Sequence, residues 1–465
     1  MKLIGVILIM ICVTSNFVRS YNILHGNIKR KKLVSVVQRY VSDTSGDTDS
    51  NVDYKNFTHE QLPEETLFIV DGTSLLFTSY FSRYNQNELK DCYLTQEFSA
   101  KVLKDIKVNP EDQSAFDQAV ALNDGLVPCG ALTAMMHNFA RFIKDVKPRY
   151  IVAAFDAGKA TFRHEIYPEY KRQRSAPPPE IVPLFRLAPQ VLEIAGCKCF
   201  TCPGYEADDI MATLSKFARD RGLNVVHVSQ DKDMYQLIEP GVHVMTPWNR
   251  EMIGPQDVEE KFGVPPHLLR ELHALVGDKV DGVPGVKGIG LKTAGALVKR
   301  YLTVENLYTS LGIKVNYKPL ASARQILSNQ PMLEESIQMN SSKRTIKLIK
   351  KQIMYDQLAD RIVNVDVAIN KIAAGLQGVK VDPKSTLRKL LSCSTDELNT
   401  FKKLITLDDN VPMEGINNGN MYSTSYFRYI GESDGASEQL MSISSSLLSP
   451  LALLRQQYHK LDRII

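Results

Sequence analysis

Three stretches of this chain are continuously apolar and stop at an acid. Leu67-Phe68-Ile69-Val70 runs into Asp71 and Gly72. Tyr150-Ile151-Val152-Ala153-Ala154-Phe155 runs into Asp156. Val225-Val226-His227-Val228-Ser229 leads through Gln230 into Asp231-Lys232-Asp233. Short runs without polar alternation are typical of strands buried on both faces, as in parallel sheets. Between them the apolar spacing is helical. Ala131, Met135, Phe139 and Phe142 fall on one side of a helix over 128–143, and Ile210, Leu214 and Phe217 mark another that begins near Glu206. Strand–helix alternation predicts an α/β fold with a parallel-rich central sheet. In such sheets ligands bind beyond the carboxyl ends of the strands, and all three runs deliver carboxylates to that edge.

A lone Asp after a strand is usually a turn residue or a helix cap. Sheet geometry makes these three neighbours, and two further clusters accompany them. Glu206, Asp208 and Asp209 open the second predicted helix, where a single acid would satisfy the macrodipole. Asp278 and Asp281 lie in Gly277-Asp278-Lys279-Val280-Asp281-Gly282-Val283-Pro284-Gly285. With Asp71, Asp156, Asp231 and Asp233 these make nine candidate carboxylates. Two carboxylates roughly 5 Å apart repel by ~3 kcal/mol at an effective dielectric near 20, so a convergent cluster calls for cations. Hard oxygen donors without Cys or His select Mg²⁺ or Mn²⁺. Two such ions can activate a water and stabilise the leaving oxygen of a phosphoryl displacement.

Two segments suit nucleic acid. Residues 159–174, directly after Asp156, interleave Lys, Arg and Tyr, which can hold phosphates and stack on bases. Residues 284–301 carry a Gly-Ile-Gly turn opening onto a helix with Ala294, Leu297 and Val298 inward. Backbone N–H groups at such a turn can hold a phosphate, and Gly288 and Gly290 have no side chain to block close approach.

Composition narrows the picture. The formal net charge is +4, but residues 1–42 contain seven of the 56 Lys and Arg and no acid. The remaining body, with 49 basic against 52 acidic residues, is not globally basic, so nucleic acid must be bound through local patches. Seven cysteines in a chain of 465 residues do not make a disulfide framework; Cys197, Cys199 and Cys202 read as residues of a strand and its turn. The apolar run 3–13 is too short for a membrane span and has signal-peptide length. The acid-free segment after it has transit-peptide composition. The expected organisation is a signal peptide at 1–20 and a transit-like leader at 21–62. A catalytic domain follows at 63–260 with an insertion at 85–124, then a helical module at 261–410 and a flexible tail at 411–465, to which Leu451 to Ile465 could add a short helix. The two-part leader resembles that of proteins imported into secondary plastids such as the apicoplast; a mitochondrial presequence is the alternative.

Taken together, Val70-Asp71-Gly72, Phe155-Asp156 with Phe162-Arg163-His164-Glu165 and Tyr170-Lys171-x-x-Arg174, Tyr205-Glu206-Ala207-Asp208-Asp209, Asp231-Lys232-Asp233, and Gly277-Asp278-x-x-Asp281 with Gly288-Ile289-Gly290 resemble the 5′→3′ exonuclease and flap endonuclease family. This is the family of the N-terminal domain of bacterial DNA polymerase I. The likeness runs over about residues 64–407. It implies a resolvase-like (PIN-like) core and a helix-three-turn-helix module that grips duplex DNA, often with a K⁺. It implies that Asp71, Asp156, Glu206 and Asp208 hold a first divalent ion. Asp231, Asp233, Asp281 and Asp278 would hold or orient a second, with Asp209 supporting both. Residues 159–174 would form the arch, with Lys171 and Arg174 at the scissile phosphate, Arg163 assisting and Tyr170 stacking on a displaced nucleotide. Lys287, Gly288, Gly290, Lys292 and Thr293 would hold the duplex backbone. The implied substrates are 5′ flaps, nicks or ends of DNA, including RNA-primed strands. A separate organelle polymerase and ligase would be partners, with no membrane after leader removal, and the protein would be a monomer. Val280 and Gly282 depart from the Ser and Asn usual in the Gly-Asp motif. A PIN-like ribonuclease and a non-catalytic DNA-binding scaffold stay open as other readings.

Overall fold

The computed structural model describes residues 58–82, 87–105, 125–158, 160–313, 361–413, 427–429, 431 and 435–461. The leader therefore lies outside the described residues, apart from its last few positions. Six strands form one sheet: β1 (Thr66–Asp71), β2 (Tyr150–Ala154), β3 (Lys198–Phe200), β4 (Asn224–Val228), β5 (Val242–Met245) and β6 (Met252–Ile253). Their order is β3-β2-β1-β4-β5-β6, and only the β5–β6 pair is antiparallel. The chain winds outward from β1 to β3, then returns to β1's other side with β4. β1 is thus central, pairing Ile69 with Val152 on one side and with His227 on the other. The crevice where the winding reverses opens between β1 and β4, at the edge that carries Asp71.

Alternate strand residues feed two cores. Phe68, Val70, Ile151, Ala153, Val226 and Val228 pack on one face with α1 (Gly72–Tyr80), α3 (Gly130–Val146) and α5 (Leu184–Ile194). Here α2 is Gln96–Asp105 and α4 is Phe162–Ile166. The predicted side of α3 is buried: Ala131, Met135, Phe139 and Phe142. Leu67, Ile69, Val152, Ala154 and Val225 face the other way, against α6 (Ala207–Arg219). Gly72 is dictated by packing, because a Cβ there would stand 2.3 Å from the Phe155 ring. That close approach lets Phe155 cover the start of α1.

The second core continues without a break into a helical module. Its helices are α7 (Pro255–Phe262), α8 (Leu269–Val276), α9 (Leu291–Tyr301), α10 (Val304–Ser310), α11 (Val365–Gly375), α12 (Pro383–Leu390) and α13 (Thr395–Ile405). Ala294, Leu297 and Val298 of α9 point inward as expected. Lys402 of α13 ties the module together, lying 2.6 Å from buried Glu271 of α8 and 2.9 Å from Glu305 of α10.

Two expectations change. Residues 435–449, read as part of a flexible tail, hold α14 (Ala436–Ile443) and the start of α15 (Leu448–Leu461), which continues where a short helix was expected from Leu451. Leu440, Ile443, Leu447, Leu451 and Leu454 are buried in the first core beside α3. Their apolar positions are spread through a Ser-rich background, which hid the periodicity. The insertion is also structured where described: Leu94 is buried, Tyr93 bridges Pro128, and α2 follows. Residues 106–124 of the insertion lie outside the described residues. Among the described residues no helix is long and apolar enough to cross a membrane.

Candidate active site

The carboxyl edge of the sheet opens into a cleft of about 250 Å³. Asp71, Asp156, Glu206, Asp208, Asp231, Asp233 and Asp281 all line it, with Lys171 and Arg174. Local structure places each acid. Asp71 ends β1 and caps α1, accepting from Ser74 N at 2.8 Å and Ser229 Oγ at 3.0 Å. Asp156 follows β2; its carboxylate accepts from Ala207 N at 2.9 Å, and its own N–H donates to Thr73 Oγ1. Glu206 is the N-cap of α6, and Asp208 lies in its first turn. Asp231 turns its carboxylate onto Asp233 N at 2.9 Å. The Ser74 N–H and the Thr73 and Ser229 hydroxyls thus orient the acids. None stood out in the sequence, because a backbone N–H or a hydroxyl beside a strand end is common.

The cleft is electrostatically costly. Burial pushes the Asp71 carboxyl up to about 7, with Asp156 and Asp231 adding repulsion against the Ser74 and Ser229 hydrogen bonds. Asp233 is likewise pushed up to about 7, by burial first and then by Asp231. Asp208 is raised well above the carboxylate range by burial, then by Asp231, Asp71 and Asp156. Asp156 is open to the cleft yet surrounded by protein, so desolvation raises it too, with Glu206 contributing.

Basic side chains offset part of this charge. Lys171 Nζ lies 2.8 Å from Glu206 Oε1 and 3.8 Å from Asp281 Oδ2, and Arg174 pairs with Asp281 Oδ1. Against desolvation, Glu206 and Asp281 raise the Lys171 pKa. Lys171 also holds a left-handed backbone, φ 54°, fixed by its N–H donating to Asp281 O at 2.8 Å. Such strain in a non-glycine residue marks sites where placement matters more than stability.

Several expected roles are not what the geometry allows. Arg163 borders the cleft but is 1% exposed, and its donors are taken up by the protein. Its guanidinium is bidentate to Asp209, at 2.6 and 2.7 Å, and donates to the carbonyls of Leu404 and Thr406. Asp209, fully buried, is consumed by that pair and by N–H groups of Glu206 and Asp408, so it is no metal ligand. Tyr170 is buried, its hydroxyl donating toward Glu206 and Asp281 at 3.2 Å each, so no ring face is open for stacking. Asp278 does not line the cleft. It caps its own turn through Val280 N and pairs with Lys232. These contacts outweigh burial and hold its pKa low. Residues 160–174 pack along the cleft as a short helix and turns instead of standing off as an arch. Gly282 takes φ 73° in the turn, which needs no Asn there.

The cleft also has a wall that sequence reasoning missed: Leu404 and Ile405 at the end of α13, and Leu407 just after it. Gln236 and Asp209 dock this segment by accepting from Leu407 N and Asp408 N. Away from the cleft, Lys287, Gly288, Gly290 and Lys292 are exposed at the turn before α9, and Thr293 is buried in its first turn.

The donor set fits hard divalent cations: seven carboxylates on one cleft, four of them pushed up by burial first and by their acidic neighbours next. Among the described residues no three groups converge tightly enough to enclose an ion as they stand; Lys171 and Arg174 draw Glu206 and Asp281 to themselves instead.

A doubly wound parallel sheet with acids gathered at its carboxyl edge, followed by a helical module, defines a resolvase-like α/β protein with a second, SAM-like domain. The chain belongs to the 5′-3′ exonuclease family. Residues 66–263 match the 5′-3′ exonuclease N-terminal resolvase-like domain, and residues 264–357 match its C-terminal SAM fold. A 5′-3′ exonuclease of Buchnera aphidicola (subsp. Schizaphis graminum) is 31% identical over 312 residues, covering 66% of this chain and 89% of the relative. A 5′-3′ exonuclease of Aquifex aeolicus is 39% identical over 180 residues, 39% of this chain and 62% of the relative. The DNA polymerase I of Rhizobium leguminosarum is 38% identical over 216 residues, 45% of this chain and 21% of the polymerase. The chain thus spans about a fifth of that polymerase and under two thirds of the Aquifex protein.

Proposed function

We propose that this protein is a metal-dependent 5′→3′ exonuclease and 5′-flap endonuclease that hydrolyses phosphodiester bonds of DNA and of RNA-primed strands. The observation that carries the reading is the cleft, where seven carboxylates meet Lys171 and Arg174. Asp71, Asp156, Asp208 and Glu206 would hold one Mg²⁺ or Mn²⁺, and Asp231, Asp233 and Asp281 a second. When bound, such ions supply an activated water and charge stabilisation at the leaving oxygen. The chain's own residues do the rest. Lys171 and Arg174 bring positive charge to the cleft to hold a phosphodiester, which the bare carboxylates would repel. Ser74, Ser229 and the Ala207 N–H keep Asp71 and Asp156 aimed into the cleft. The turn before α9, with Lys287, Gly288, Gly290, Lys292 and Thr293, would hold the duplex backbone.

An end-labelled 5′-flap duplex tests the proposal. Release of short 5′ fragments with Mg²⁺, abolished by EDTA and by Asp156→Asn, is the expected outcome, with duplex binding by the variant retained. Binding without cleavage in Mg²⁺ and Mn²⁺ would favour the scaffold reading, and preference for RNA throughout would favour the ribonuclease. The basic, acid-free residues 1–42 of the leader support a place in organelle DNA replication and repair, in a plastid of the apicoplast type. A reporter fused behind residues 1–62 should reach that compartment; a secreted or mitochondrial reporter would overturn the assignment.

A further inference from the structure

The turn before α9 receives a side chain from a distant helix. Lys389, near the end of α12, donates from Nζ to the carbonyl of Gly288 at 3.0 Å. Its Cε and Cδ lie 3.2 and 3.4 Å from where a Gly288 Cβ would stand, and Gly288 itself is at φ 83°. A glycine at this position therefore serves two purposes: it permits the left-handed turn and leaves room for the lysine stem.

The family likeness implies a potassium ion at this module, and three carbonyls of the turn already hold other partners. Val286 O accepts from Ile289 N at 3.0 Å, and Gly290 O from Ala294 N at 2.9 Å. Gly288 O carries the ammonium. A second cation on that oxygen would face the ammonium at close range and be repelled. Two further cations flank the turn, Lys287 and Lys292, both exposed. α9 begins at Gly290 with no side chain capping its first N–H groups, so the turn combines free donors, a helix start and fixed positive charge.

We propose that Lys389 is the built-in cation of this turn. An ammonium has three donors. One is spent on Gly288 O, which fixes the group's position, and the others face a backbone phosphate of duplex nucleic acid. The protein then grips duplex without a bound monovalent ion. This rests on reading the turn as a duplex-binding element.

The test uses the full-length chain in EDTA, to prevent cleavage, and a fluorescently labelled blunt duplex read by anisotropy. Binding is titrated in KCl and in tetramethylammonium chloride at equal ionic strength. The parent should bind within about twofold in the two salts. Lys389→Met keeps the stem and removes the charge. It should weaken binding roughly five- to tenfold at about 0.1 M salt, and make the slope of log affinity against log salt shallower by roughly 0.9, one phosphate contact. Lys389→Arg should retain both. A loss beyond about tenfold for the parent on leaving KCl, or an unchanged salt slope in Lys389→Met, would overturn the proposal. A parent that binds duplex in neither salt would overturn the duplex reading itself, and this proposal with it.

Discussion

Arg163 and Lys171 belong to one basic stretch, yet burial separates what they do. Lys171 reaches the cleft, so Lys171→Ala should cut the rate of cleavage by roughly 10²-fold, the scale of losing one positioned electrostatic donor, while lowering thermal stability less than the loss of fully buried Arg163 does. Arg163→Met leaves Asp209 charged and unpaired in the interior. It should destabilise the fold by about 3–5 kcal/mol, seen as a lower denaturation midpoint. If Arg163→Met slowed cleavage without lowering that midpoint, the placement of Arg163 would be wrong. The residue types were legible in the sequence, because nine acids at strand ends and helix starts announce a cation site. Which acids face the cleft was not. Asp208 and Asp209 are adjacent, and only the helix start they share turns one into the cleft and the other onto Arg163. A third residue carries a pH effect. His227 is fully buried in β4 with neither ring nitrogen hydrogen-bonded, and burial pushes its pKa down to about 3. Between pH 6.5 and about 3 the unfolded chain takes up a proton that the folded one refuses. Its share of stability is therefore complete above pH 6.5 and falls as pH drops toward 3. His227→Leu should remove up to about 1.4 kcal/mol per pH unit of that slope, measured by denaturant titration at several pH values. An unchanged acid limb would remove His227 from the account.

At the scale of elements, the continuous apolar runs gave β1, β2 and β4 to within a residue or two, because strands buried on both faces leave a plain record. Of the C-terminal helices, α15 left a faint record from Leu451 onward and α14 left none that simple inspection finds. α14 and α15 each bury a few leucines and isoleucines among serines, and they are held by contacts from far upstream: Ser444 Oγ donates to Tyr93 O at 2.7 Å, and Thr133 and Ser446 hydroxyls meet at 2.7 Å. A chain segment that depends on such distant partners carries little local signal. Leu447 is fully buried between these helices and α3. Leu447→Ala should cost about 2–5 kcal/mol, measured by chemical denaturation. A loss below about 0.5 kcal/mol, the range of surface substitutions, would mean the helices do not pack there.

For the molecule as a whole, the carboxylate cleft sets a trade between stability and chemistry. On the proposed function, divalent cations bind the folded cleft in preference to the unfolded chain, so Mg²⁺ at about 100 times its dissociation constant should stabilise the fold by about 2.7 kcal/mol. A calorimetric scan with and without Mg²⁺ reads this, and a midpoint indifferent to saturating metal would mean the acids do not share an ion. Asp233→Asn together with Asp71→Asn should stabilise the metal-free protein and blunt the Mg²⁺ effect, because each removes charge that burial penalises.

The cleft wall at Leu404, Ile405 and Leu407 has a further consequence, for the order of events in the protein's birth. The first acid of the cleft is Asp71 and the last wall residue is Leu407, so most of the chain must leave the ribosome between them. At roughly 5–20 residues per second, the nascent protein spends tens of seconds with its acids made and its site unfinished. A nuclease of the proposed kind, if it needs this wall, would gain its activity only when synthesis is nearly over.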